Sequence, residues 1–543
     1  MQISRRIDGA LRGAFFFAGI AAAGCSPKPA APDPVAENRR AAAKVFETAE
    51  PYSTRAIAAP ELDAFFAKNP EYAPDSSAII EFYRDRNMQF AWVLDGRISA
   101  NAESFVTLAG VTEGRGEKST PGSRRMAALY DAAIADGKRV QLCDECATEL
   151  EVRLTAEFFR FASRNYGGYL NTDVRDLNWF IPRTKIDFGR LLDSLSVGSM
   201  DFAGYQPAHP QYKQLQSHLT SYAALARHAW PKLEFAPKRS RLKAGDSASV
   251  ILGIRHRLRS LGDFSGDTAG FMYDSALVDG VKKFQLRHGM NADGIIDAAM
   301  LAALNVDPAT RMRSMLINME RLRWVSGQQP PDLLLVNIPE FRLHVFEQND
   351  EVMTMNVVVG ARATRTVTFT DTVSQVVFSP SWSIPASIVR NEILPAMKKD
   401  RAYLAKHNME ITGGSDAEPE IRQKPGATNA LGRVKFLFPN SYNIYMHDTP
   451  AKGLFSGETR AASHGCIRVS RPADLAEYLL RNDPEWSPEN IVRLKEPRPV
   501  AIVYFTAWVD RNGELNFRDD VYGHDRELAE ELFARGPSGP SSP

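Results

Sequence analysis

Cysteine is scarce in this chain: four residues in 543. That excludes a disulfide-dense scaffold, which needs many more. It also weighs against zinc at Cys143-Asp144-Glu145-Cys146, because no second CxxC or paired histidine supplies the remaining ligands. Charge of one sign is missing as well. A formal net charge of +1 leaves no bulk electrostatic case for nucleic-acid binding. His344, His407, His447 and His464 form no HExxH-like set, so no metal is implied. No phosphate-cradling glycine loop precedes a helix, and no serine nucleophile elbow occurs. Apolar runs are short. Gly13 to Gly24 falls below the roughly 20 residues a membrane-spanning helix needs, and no other stretch comes closer.

What is present begins with that apolar run. Arg5, Arg6 and Arg12 precede it as a basic region, and together they read as an export signal. Ala22-Ala23-Gly24-Cys25 resembles a bacterial lipobox, which makes Cys25 a candidate for lipid attachment. Ser26 after it implies the outer membrane of a periplasmic space. An ordinary small-residue cleavage site is the alternative. Residues 26–45, rich in Ala, Pro and charge, read as a flexible tether. For Cys143 and Cys146, a local disulfide in an oxidising compartment fits better than a redox pair, since Asp144 and Glu145 disfavour a thiolate.

The length is too great for one core and suggests three or four domains. Residues 46–240 read as helical, with Leu150, Leu154, Phe158 and Phe161 at helical spacing, then Leu215, Leu219 and Tyr222. Residues 243–306 read as three short helices. Val250, Ile254, Leu258 and Leu261 mark the first, and Leu277, Val281 and Phe284 the second; Asp297 caps the third. Residues 314–523 are strand-rich, with Leu333 to Ile338 and Arg342 to Phe346 expected to pair. An insertion over about 386–422 has helical character from Glu392 to His407. Residues 524–543 read as a tail. The fold class is multidomain α+β.

The chemistry concentrates in two runs. Cys466 stands in Ser463-His464-Gly465-Cys466-Ile467-Arg468, and His447 lies sixteen residues before Ser463, in Tyr445-Met446-His447-Asp448. A thiolate is a strong nucleophile and an imidazole the usual acceptor of its proton. The backbone amides of Gly465 and Cys466 are candidate oxyanion-hole donors.

These runs resemble the active-site motif of the L,D-transpeptidases. The likeness to the YkuD-type catalytic domain covers the strand-rich stretch, including Val359-Gly360, Trp382-Ser383-Ile384-Pro385 and Lys435-Phe436. Val281 to Met290, followed by Asp293-Gly294, is similar to the type 1 peptidoglycan-binding domain, and Phe82 to Asn87 with Trp92 resembles the scaffold domain of YcbB-type enzymes. The resemblance implies Cys466 as nucleophile, His447 as general base and acid, and the backbone carbonyl of Asp448 as the group orienting His447. Ser463 and His464 shape the loop. Arg468 holds a substrate carboxylate or braces the loop, and Tyr445 lines the pocket or packs a strand. The insertion would cap the site. The implied partners are peptidoglycan stem peptides and glycan strands, with a D,D-carboxypeptidase or a peptidoglycan synthase supplying the donor. The reaction implied is 3→3 crosslinking without a cofactor. A carboxypeptidase or amidase using the same pair is the first alternative, and a cell-wall-binding scaffold without catalysis the second.

Overall fold

The computed structural model describes residues 53, 55–108, 121–162, 174–181, 188–197, 209–325, 329–483 and 491–533. The signal and lipobox reading, Cys25 and the 26–45 tether lie outside these residues.

The helical part is organised around α1 (Asp144–Ala162). Leu150, Leu154 and Phe158 recur along one face and are fully buried among Tyr83, Trp92 and Phe105. Glu151 is buried with them. Its carboxylate is satisfied by the backbone N–H groups of Ala91, Trp92 and Val93 at 2.6 to 3.0 Å, which ties the segment before it to the helix. At the start of α1, Cys143 and Cys146 are joined in a disulfide.

The 46–240 segment divides between two cores. The cluster around α1 reaches Leu192. Trp179 instead packs edge-on against Trp324, 5.4 Å between ring centres, and the Phe180 N–H donates to the Thr368 carbonyl. Helix α2 (Pro210–Leu225) joins that second core through Tyr212, Leu215, Leu219 and Tyr222.

Three helices follow: α3 (Val250–Ser260), α4 (Ser275–Arg287) and α5 (Ala298–Asn305). Asp274 and Asp297 cap α4 and α5, each accepting a backbone N–H at 2.9 Å. Ile251, Ile254, Leu258, Leu277, Val281 and Phe284 fill their common core. Helix α6 (Pro308–Trp324) then leads into the strand-rich unit.

That unit contains β1 (Leu333–Asn337), β2 (Arg342–Glu347), β3 (Asp350–Gly360), β4 (Phe369–Phe378), β5 (Trp382–Ser383), β6 (Met409–Gly414), β7 (Pro419–Gln423), β8 (Val434–Leu437), β9 (Met446–His447), β10 (Ala461–Ser463), β11 (Ile467–Val469) and β12 (Ile491–Val503). The main sheet runs β10-β3-β11-β9-β8-β4-β12-β1-β2, and β2 also pairs with β3. Eight strands thus close into a barrel, with β10 attached outside on β3. As expected, β1 and β2 pair antiparallel. Side chains alternate across the wall. Leu343, Val345, Val373, Phe436, Met446, Ile467 and Val469 point into the barrel and are fully buried.

The stretch from Glu392 to His407 is helical as expected, in several short turns. Short helical turns from Ala386 to Lys406 pack on a three-stranded sheet, β6-β7-β5, over Ile384, Ile388, Val389, Ile393 and Ile421. Glu410 faces Arg422 across β6 and β7 and pairs with it at 2.6 Å. Beyond the barrel, β13 (Ala507–Val509) and β14 (Leu515–Phe517) form a hairpin. The reading of 524–543 as a tail is corrected over its first ten residues. Helix α7 (His524–Phe533) buries Leu528, and its Asp525 pairs with the buried Arg321 at 2.6 Å.

Candidate active site

The barrel wall brings the two chemical runs together. Strands β9 and β11 are parallel neighbours, with His447 opposite Arg468, and β8 lies on the other side of β9 with Lys435 opposite His447. Because Met446, Ile467 and Val469 point inward, Tyr445, His447, Cys466 and Arg468 share the outer face. Lys435, His447 and Arg468 form one row across three strands. Tyr445 and Cys466 form the next, where the Ile467 N–H donates to the Tyr445 carbonyl at 3.0 Å.

His447 is buried, and its Nδ1 lies 2.5 Å from the carbonyl oxygen of Asp448. A carbonyl only accepts, so Nδ1 carries the proton and Nε2 is left as the basic nitrogen. Burial, reinforced by Arg468, holds the imidazole down at about 4. Burial likewise pushes the Cys466 thiol up, against hydrogen bonds from Tyr445 and the charges of Lys435 and Arg468. At neutral pH the resting pair is therefore thiol and neutral imidazole. The thiol sulfur sits 3.6 Å from the Asn443 carbonyl oxygen.

The Asp448 carboxylate faces away from this chemistry. It accepts from the N–H groups of Arg433 and Thr449 at 2.8 and 2.7 Å and from Lys452 Nζ at 2.6 Å. These contacts hold its carboxyl below the usual range despite burial. Gly432 sits against it at φ +62°, where a Cβ would lie 2.3 Å from Oδ2.

The loop before the cysteine is braced internally. Ser463 Oγ donates to the Cys466 carbonyl at 2.6 Å and accepts from the Gly465 N–H at 3.1 Å. The Gly465 amide, expected as an oxyanion donor, is engaged here by the hydroxyl that closes the turn. The Cys466 N–H donates to no protein acceptor among the described residues and remains the candidate hole donor. Gly465 adopts φ +114°, a conformation that favours glycine. His464 points outward, with Nε2 2.8 Å from Glu392 of the insertion.

Arg468 makes no ion pair among the described residues, and its buried Nε has no hydrogen-bond partner. It braces nothing. Three further residues escaped the sequence reading as site residues. Lys435 Nζ lies 3.8 Å above the Tyr445 ring, and its charge reaches Cys466. Burial and the neighbouring Cys466 push the Tyr445 hydroxyl up, and Trp382 at the root of the insertion acts against them. Asn443 contributes its carbonyl. For Lys435 the signal was its place between the inward-facing Val434 and Phe436 on a strand that pairs with the histidine strand.

Comparison with known proteins matches three parts of the chain. Residues 331–493 match the L,D-transpeptidase catalytic domain called YkuD, residues 77–219 a scaffold domain, and residues 251–304 the family described as "Putative peptidoglycan binding domain". A Haemophilus influenzae protein described as "Putative L,D-transpeptidase" is 32% identical over 246 residues, which is 40% of this chain and 49% of that protein. The match thus spans about half the relative's length. Among solved structures, the L,D-transpeptidase of Stackebrandtia nassauensis is 13% identical, covering 51% of this chain and 97% of that one at a TM-score of 0.23. One from Mycobacterium smegmatis is 13% identical, covering 32% and 58% at a TM-score of 0.19. Scores this low carry no argument about the fold.

Proposed function

The chain carries an L,D-transpeptidase catalytic domain beside a peptidoglycan-binding domain, and on that premise we propose that it crosslinks peptidoglycan stems 3→3 through a thioester on Cys466. The observation that carries this reading is the row Lys435, His447 and Arg468 beside Cys466, with the imidazole held in the tautomer that leaves Nε2 basic.

His447 Nε2 takes the thiol proton as Cys466 attacks the carbonyl joining the third and fourth residues of a tetrapeptide stem. The Cys466 N–H donates to the oxygen that becomes anionic. As the C–N bond breaks, the imidazolium returns its proton to the departing D-alanine amine. The side-chain amine of a diaminopimelate in a second stem then attacks the thioester and passes a proton to His447. Collapse forms the new amide and releases the sulfur, which recovers that proton. The amide broken and the amide made are equivalent, so no external energy source enters. Arg468, with no protein acceptor among the described residues, is placed to receive a substrate carboxylate. The export signal and Cys25 support a periplasmic enzyme anchored by lipid to the outer membrane.

The test is incubation with disaccharide-tetrapeptide muropeptides followed by liquid chromatography and mass spectrometry, beside the Cys466→Ala chain. Dimers that have lost one D-alanine, formed only with the intact thiol, are expected. Tripeptide monomers alone would replace this reading with a carboxypeptidase. No turnover at all would point to a scaffold.

A further inference from the structure

A cavity of about 1140 Å³ lies on the far side of the barrel. Its floor is the outer face of β1 and β2. In the ring of eight strands β1 stands four strands from β9 in either direction, so this cavity and Cys466 occupy opposite walls. Arg342, His344 and Phe346 alternate along β2 toward the cavity, while Leu343 and Val345 enter the barrel. Trp508 on β13 and Arg518 after β14 form one side. Lys283 and Leu286 on α4 form another, so the peptidoglycan-binding unit is itself a wall.

That wall is fixed in place. Arg287 of α4 pairs with the buried Asp263 at 2.6 Å and donates to the Leu515 carbonyl on β14. Lys283 reaches Glu514 at 2.8 Å, and Arg518 donates to the Arg287 carbonyl at 2.9 Å. The volume exceeds the roughly 300–1,000 Å³ of ordinary small-molecule sites and suits a longer ligand.

The lining chemistry is specific. The Arg342 side chain makes no hydrogen bond or ion pair among the described residues, although it lies half-buried at the floor. A guanidinium so placed seeks a carboxylate. His344 sits 3.0 Å from both Glu340 and Glu351, and Arg342 acts on Glu340 through its charge alone, without an ion pair or hydrogen bond among the described residues. The Arg518 guanidinium lies 4.8 Å over the Trp508 ring, and Arg511 lies 5.4 Å over Phe346. Leu286, 59% exposed, faces the same space. Flat aromatic and apolar surface beside an unpaired guanidinium matches a saccharide bearing carboxylates, whose ring faces pack on aromatics while its acid meets the cation.

We infer that this cavity holds a second segment of a peptidoglycan strand, with a hexosamine ring against Trp508 and a stem carboxylate on Arg342, away from the stem that reacts at Cys466. The inference rests on peptidoglycan being the substrate. It assigns to the cavity the job of retaining a glycan strand while the opposite wall performs transfer.

The experiment is calorimetric titration of the full chain carrying Cys466→Ala with uncrosslinked glycan strands bearing tetrapeptide stems, and with stem-free N-acetylglucosamine tetramer. Added Arg342→Gln and Trp508→Ala changes should each weaken strand binding at least tenfold without moving the unfolding midpoint. Arg342→Gln should leave the stem-free tetramer's affinity as it was. Unchanged strand affinity in both variants would overturn the inference. Should Trp508→Ala fail to fold, Arg342→Gln decides alone, since that side chain bonds to nothing among the described residues. The reaction itself is read separately, by muropeptide dimer formation with Cys466 intact. Loss of crosslinking with Arg342-dependent binding retained refutes the transfer reading and not the cavity.

Discussion

The imidazole of His447 donates from Nδ1 to the backbone carbonyl of Asp448, the very next residue, and not to any carboxylate. The side chain of Asp448 is therefore structural. Asp448→Asn should keep the acylation rate within a few-fold while lowering stability by about 1–3 kcal/mol, because a buried acceptor of two amides and Lys452 loses its charge. Thermal unfolding and single-turnover acylation separate the two effects. A hundredfold loss of acylation in a folded variant would assign the carboxylate a direct role.

The positive charges of Lys435 and Arg468 both act on the thiol and lower its pKa against burial. Removing either cation removes that help. In Lys435→Met and Arg468→Met the iodoacetamide alkylation profile of Cys466 should move to higher pH. The rate at pH 7 should drop about tenfold for every pH unit by which the profile moves. Coincident profiles in wild type and both variants would mean that neither charge reaches the sulfur.

The motif was legible because Cys466 and His447 stand at a fixed interval along the chain. So were the local elements: the β1–β2 pair came from alternating apolar residues, and the caps of α4 and α5 from aspartates preceding apolar helices. Lys435 was not legible as a site residue, because its place beside His447 comes from the register of β8 on β9, a non-local fact. The occupied amide of Gly465 was hidden for a related reason, since the rotamer of Ser463 decides it. The hairpin inside the insertion lacked a strong strand signal: Gly413 and Gly414 are poor strand formers, and pairing across Glu410 and Arg422 overrides that. Helix α7 is short and close to the end, and its one fully buried apolar residue, Leu528, gave no period to follow.

Neutral His447 is required to accept the thiol proton, and burial holds its pKa down at about 4. Protonation abolishes a base, so activity falls as pH drops below that value. The acid limb of kcat/KM for acylation should lie near pH 4, and not near the roughly 6.5 of a free imidazole. Rates measured from about pH 3.5 to 7.5 decide the matter, since that range spans both values. A limb at the free-imidazole value would show the ring solvated in the working enzyme.

His344 behaves in the opposite sense. Half-buried between Glu340 and Glu351, it is pushed up to about 9, since the two carboxylates outweigh the cost of desolvating its charge. The folded state then binds one more proton than the unfolded state between about pH 6.5 and 9. The resulting stability is fully present below about 6.5 and is lost as pH rises through about 9. The unfolding midpoint should therefore fall across that window in wild type, and fall less in His344→Gln, which cannot titrate. The variant should also start lower at about pH 6, where it forgoes the charge that its two carboxylates require. Equal slopes for the two proteins across the window would show that His344 is already neutral there and that the carboxylate pair is satisfied by other means.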